Sequence, residues 1–366
     1  MITRIENTPV EHDWGSLTAI PEILGTRPTG RPQAELWLGA HRASPARVSG
    51  SSQTLAEFAP DLPFLLKVLA AEFPLSIQAH PNPAQARAGF EREEHDRVAP
   101  SARSFGDPFA KPEMIYALSD RLRALCGFAP IRDVRAALAP ATREPSIANL
   151  MDRLTGELAL PHVVSWILDR SPEVDQLIVA LTNEASRLSG EIWETVRTLS
   201  AHRPGDIGVA MSILMNTIEL RAGEVLDLPA GRIHAYLHGV GIELMGPSDN
   251  VLRGGMTSKQ IDIDGFLGVL DFHAKRPIPI PHVEIAPGVR GFFPEQGDFA
   301  LVVVEHADVE VPLTGPAIAF CATGEALLEG QHLTAGDAAL LQDQDRVAFK
   351  SAGLLFLAIA HLTNTT

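Results

Sequence analysis

The chain has 366 residues, 45% of them hydrophobic and 20% charged, which is ample apolar material for two or three cores. Its formal net charge of -15 excludes a surface that wraps a polyanion, yet leaves room for a small phosphorylated ligand in a locally basic pocket. Two cysteines, Cys126 and Cys321, both in apolar contexts, argue against a disulfide framework and a thiolate metal site. No apolar run approaches the roughly 20 residues of a membrane span, and the first residues lack a signal core. The expectation is a soluble, cytoplasmic protein with neither a nucleic-acid nor a membrane partner.

In chain order, residues 1–126 read as short apolar runs broken by Gly, Pro and Asn, the texture of many short strands. The run Pro63–Ala70 is apolar throughout except for Lys67, which either snorkels to solvent or points into a polar cavity. In Pro74–Asn82, Leu75, Ile77 and Ala79 alternate with Ser76, Gln78 and His80, so one strand face is apolar and the other carries three polar groups. Such a strand is a solvated edge or the wall of a site. A charged, Ala-rich stretch then predicts an exposed helix over Ala84–Arg97.

Residues 127–207 have helical texture. Ser171-Pro172-Glu173 is a helix start, followed by Val174, Leu177, Ile178 and Leu181 at helical spacing; Leu150, Leu154 and Leu158 form another stripe. Strands return with Ser212–Leu220 and Val225–Leu228 and carry the reading through residues 208–274. Residues 275–366 form a second β region, with strands at Ala300–Val304, Val309–Val311, Ala317–Cys321, Ala338–Leu341 and Leu354–Ile359 broken by glycines. The class is mainly β with a helical insert. No glycine-rich phosphate loop, Rossmann fingerprint or zinc-finger spacing occurs.

Four residues stand in settings suited to a metal. Gln78 and His80, at i and i+2, reach from one strand face; Glu113 follows Lys111-Pro112; His234 follows the turn Pro229-Ala-Gly231. Two imidazoles, a carboxylate and an amide oxygen make an N/O set for Zn²⁺ with a position open to water or substrate. By spacing alone, ordinary hydrogen-bonded histidines and glutamines explain them as well. A second block, Gly241–Lys259, holds Glu243, Asp249, Asn250, Arg253 and Lys259 among Gly246, Gly254 and Gly255. Its cations suit a phosphate or a developing oxyanion, and a polar surface loop with a salt bridge is the plainer alternative.

Several blocks together resemble the type I phosphomannose isomerases: Asp13-Trp-Gly15, Ala34–His41, Pro63-Phe-Leu-Leu-Lys67, Pro74–Asn82, Lys111-Pro-Glu113, Leu228-Pro-Ala-Gly231 with His234-Ala-Tyr236, and Ser248-Asp-Asn-Val-Leu-Arg253. They occur in the family's order over residues 10–264. The resemblance implies a cupin-type catalytic jelly roll (1–126 and 208–274), an inserted α-helical domain (127–207) and a C-terminal jelly-roll-like domain (275–366). It implies one zinc ion on Gln78, His80, Glu113 and His234, and a catalytic Arg253. The reaction implied is exchange of D-mannose 6-phosphate and D-fructose 6-phosphate through an enediol or enediolate.

For the general base, Glu243, Lys111 and Asp249 compete. Lys259 is the first choice for the phosphate, with Ser76 and Lys67 behind it, and Trp14 and Glu35 are expected to line the pocket. A phosphorylated hexose is the expected partner of a monomer or weak homodimer. Ala110 stands where the family often has a histidine, which bears on the choice between phosphorylated and free sugar. An isomerase of free mannose or another aldose is the next reading; an iron cupin oxygenase and a non-catalytic sugar-binding cupin are more distant. In the C-terminal region, His282, His306, His332 and His361 do not repeat the ligand blocks, so packing is the role expected there.

Overall fold

One twelve-residue strand, His234–Met245, organises the first β region of the computed structural model, which describes residues 1–360. His361 lies outside the described residues. The strand changes neighbours midway. Its first half pairs with Arg121–Phe128 and, through His234, with Gln78; its second half pairs with Leu65–Ala71 and Glu113–Ala117. The switch falls at Gly239, which sits at φ 120°, where a Cβ would lie 2.6 Å from the Arg121 carbonyl oxygen. A bulge between Tyr236 and His238 adds to the bend. One strand thereby serves both faces of a rolled, nine-stranded antiparallel sheet.

Strand Leu65–Ala71 is buried along its whole length, Lys67 included. The snorkelling alternative for Lys67 therefore does not hold. The polar face of Ile77–Ala79 turns toward the roll, and Leu252–Gly255 pairs beside it with Arg253 opposite Gln78.

Helices Ile131–Leu138, Pro145–Arg153, Ala159–Leu168, Pro172–Ala185, Glu191–His202 and Ile207–Ser212 pack against one end of this sheet. Val174, Leu177, Ile178 and Leu181 are buried, as their spacing predicts. Leu158 departs from its predicted stripe: Leu150 and Leu154 are buried, but Leu158 is 63% exposed. The helix ends at Arg153, and Gly156 at φ 88° turns the chain before Leu158. Ser212 also departs. It ends a helix capped by Asp206, so the strand starts only at Met215.

The second β region consists of an eight-stranded and a four-stranded antiparallel sheet. Its eight-stranded sheet includes the chain's first strand, Ile2–Glu6, which pairs with Ala338–Leu341. Leu36, Leu66 and Val68 of the first region and Phe299, Leu301, Phe320 and Phe356 of the second share one apolar core. A separate core, including Val302, Val304, Leu328 and Leu357, fills the second region alone. No helix among the described residues is long and apolar enough to cross a membrane.

Candidate metal centre

Strand register sets Arg253, Gln78 and His234 side by side across three strands. Glu113 opens its own strand next to them, opposite Met245, and His80 follows the short strand Ile77–Ala79. His80, Glu113 and His234 are 2%, 1% and 1% exposed. Their candidate ligand atoms all lie within 4.8 Å of one another. His80 Nε2 is 3.3 Å from Glu113 Oε1, and His234 Nε2 is 3.2 Å from Glu113 Oε2.

Each imidazole is held by its other nitrogen. His80 Nδ1 donates to the Asn250 carbonyl at 2.6 Å, and His234 Nδ1 donates to the Arg232 carbonyl at 2.9 Å. A carbonyl only accepts, so these bonds place the proton on Nδ1 and turn the Nε2 lone pair toward the cluster. Burial, aided by the Lys111 charge, brings His80 down to about 4 against the pull of Glu113, so the ring is neutral. Burial alone would raise Glu113; Lys111 and the two imidazoles outweigh it and hold the carboxylate well below its usual range.

His80 Nε2 and Glu113 Oε2 have no hydrogen-bond partner. Such buried orphans cost about 1–3 kcal/mol each. Here they converge on one point, which a divalent cation would satisfy. Gln78 touches His234 Nε2 through its amide at 3.4 Å, and a half-turn of that amide presents its oxygen instead. This N/O donor set fits one zinc-like ion.

The cluster adjoins a cavity of about 850 Å³. The cavity wall includes eleven of the predicted site residues: Trp14, Glu35, Lys67, Ser76, Gln78, Lys111, Glu113, Glu243, Asp249, Arg253 and Lys259. His80 and His234, the other two, are buried beside it. Lys111 Nζ is 2.9 Å from Glu113 Oε1. Lys67 Nζ is bracketed by Glu35 Oε1 at 3.2 Å and Glu243 Oε2 at 3.1 Å, and it lies 4.7 Å from the centre of the Trp37 ring. Its charge is thus already compensated. Burial raises Glu243, with Lys67 opposing; for Glu35, Lys67 and the Trp37 N–H outweigh burial and lower it. Asp249 accepts from His41 at 3.2 Å, and that bond holds its pKa down. Trp14 stacks on His12 with ring centres 5.5 Å apart.

Three groups in this structure were not singled out from sequence. The Tyr236 hydroxyl donates to Glu243 Oε1 at 2.9 Å, and its place two residues after His234 on one strand was a usable signal. His41 braces Asp249. Asp107 takes bonds from Ser248 Oγ and the Asp249 N–H, both at 2.9 Å, and so fixes the loop whose Asn250 carbonyl orients His80. Nothing local marked Asp107 or His41, because their partners are far away in sequence.

Residues 2–131 match the family model of the phosphomannose isomerase type I catalytic domain. The mannose-6-phosphate isomerase of Escherichia coli (strain K12) is 33% identical over 351 residues, which cover 89% of this chain and 90% of that protein. A crystal structure of mannose 6-phosphate isomerase in its zinc-bound holo form has a TM-score of 0.88 at 30% identity, covering 99% of this chain and 100% of that one. The apo form from Salmonella typhimurium has a TM-score of 0.89 at 30% identity, covering 99% of each. Similarity at that level over nearly the whole length shows that the chain belongs to the mannose-6-phosphate isomerase family.

Proposed function

We propose that this chain is a zinc-dependent aldose–ketose isomerase that interconverts D-mannose 6-phosphate and D-fructose 6-phosphate. The observation that carries the reading is the convergence of orphaned His80 and Glu113 ligand atoms beside a cavity also lined by Arg253 and Lys259. Gln78, His80, Glu113 and His234 would hold the ion. When bound, zinc supplies Lewis acidity toward the sugar oxygens.

The reaction needs a base that takes the C2 proton from the open-chain aldose. The C–H electron pair becomes the C1–C2 double bond and negative charge passes to O1, giving an enediolate. Return of that proton to C1, with transfer of the O2 proton to O1, leaves the ketose. Glu243 is our choice of base. Burial lifts its basicity, Lys67 keeps an ionised form accessible, and Tyr236 fixes its orientation. Lys111 stands as a cation ion-paired to Glu113, and the His41 bond holds the pKa of the Asp249 carboxylate down, so each is a poorer base than Glu243. Arg253 forms no ion pair among the described residues, so its charge is free to meet the developing oxyanion. Lys259 feels the Arg253 charge, which lowers its pKa, and it is our choice for the phosphate.

The test is isomerisation of mannose 6-phosphate by the purified zinc-loaded protein, followed as fructose 6-phosphate, with free mannose in parallel. A strong preference for the phosphorylated sugar supports the proposal. Turnover of free mannose alone moves the substrate and keeps the chemistry; turnover of neither overturns it.

A further inference from the structure

Most cations on the cavity wall are already paired. Lys67 has Glu35 and Glu243, Lys111 has Glu113, Arg103 has Glu94, and Arg42 is 4.0 Å from Asp249. Arg253, Lys259 and Arg203 line the same cavity and enter no ion pair among the described residues. The first two belong to the strand-and-turn segment already discussed. Arg203 comes from elsewhere: it caps the C-terminal end of helix Glu191–His202, and its N–H donates to the Leu199 carbonyl at 2.8 Å.

Arg203 is built into the site by backbone contacts. The Asp206 N–H donates back to the Arg203 carbonyl at 3.3 Å, which closes the turn through Pro204. Asp206 Oδ1 accepts from the Gly208 N–H at 2.7 Å and from the Met256 N–H at 2.6 Å. Met256 holds a left-handed backbone, φ 53°, which costs a residue with a side chain about 1–3 kcal/mol and persists only where its surroundings impose it. At Gly255 an added Cβ would lie 2.6 Å from the Gly208 Cα, so the two backbones are in direct contact. Met256 is midway between Arg253 and Lys259. The helical segment therefore grips the cationic segment at its centre and sets a third free cation in the same cavity. His202, next to Arg203, stacks on Phe73 with ring centres 5.2 Å apart, which fastens the helix end to the chain leading into Ser76.

We propose that Arg203 is a specificity-determining residue that binds the substrate phosphate together with Lys259. This rests on the reading of the substrate as a phosphorylated sugar. A phosphate dianion entering a chain of net charge -15 needs cations that no carboxylate has neutralised, and Arg203 and Lys259 meet that need while Arg253 serves the reacting oxygens. The guanidinium also offers two parallel N–H donors to two phosphate oxygens. The phosphate is remote from C1 and C2, so the contact acts on binding more than on the proton transfer.

The experiment compares wild type, Arg203→Gln and Arg203→Lys, all zinc-loaded, in two measurements. The first is steady-state kinetics on mannose 6-phosphate. Arg203→Gln is expected to raise KM about tenfold with kcat within about threefold, and Arg203→Lys to lose about threefold in KM. The second is calorimetric binding of inorganic phosphate, where Arg203→Gln is expected to weaken affinity about tenfold. Because Arg203 is half-exposed, the substitution leaves no buried vacancy. An unchanged KM and unchanged phosphate affinity in Arg203→Gln overturn the proposal. If wild type isomerises only free mannose, the substrate reading fails, and phosphate binding still decides whether Arg203 is an anion contact.

Discussion

The two β regions use the same kind of antiparallel sheet and bury very different interiors. In the first, Glu35, Lys67, His80, Glu113, His234 and Glu243 are all buried. In the second, over residues 275–360, Ser351 is the only buried polar side chain among the described residues, and it carries no charge. Burying a charge costs several kcal/mol unless partners compensate it, so an interior so rich in ionisable groups gains nothing in stability over an apolar one. The difference shows where the molecule keeps chemistry and where it keeps packing. In the first region, substitutions should remove function; in the second, they should remove stability.

The largest expected effect is at a ligand. His234→Ala should lose bound zinc, read by metal analysis, and reduce turnover by about a thousandfold or more. Retention of full zinc would move the ion away from this cluster. Arg253→Ala should lower kcat about a hundredfold with zinc content unchanged, whereas a fall in zinc would make its role structural.

Acidity sharpens the contrast further. The folded Glu243 has a raised pKa and acts as a base only when ionised, so activity should fall as pH drops through a value above the ordinary glutamate pKa of about 4.3. Lys67→Met removes the cation that opposes this shift, so the acidic limb of kcat/KM should move to still higher pH. A limb that stays in place would show that Glu243 is not the titrating base. The smallest catalytic effect is expected from the apolar core. Leu357→Ala, fully buried in the second region, should cost about 2–5 kcal/mol in unfolding free energy and leave kcat/KM within about twofold. A large loss of activity in a folded Leu357→Ala would break the division of labour.

Much of this arrangement was legible in the sequence. The period-two pattern of Leu75–His80 placed Gln78 and His80 on a polar face, and the helix start at Ser171-Pro172 lies where its composition puts it. Local patterns failed where the backbone turned unseen. Gly156 ended the Leu150–Leu154 stripe before Leu158, and the cap at Asp206 drew Ser212 into a helix. The site beyond its ligands was hardest to read, because it depends on distant pairings. Lys67 between Glu35 and Glu243, and Asp206 beneath Met256, join residues that only the rolled sheet and the docked helices bring together.

The most direct test of the charged interior as a metal-dependent catalytic centre is a zinc titration. The chelated protein would be assayed for mannose 6-phosphate isomerisation as zinc is returned in sub-stoichiometric steps. Activity that is absent in the chelated protein, rises linearly and stops at about one zinc per chain is the predicted result. Full activity in the zinc-free protein would contradict it.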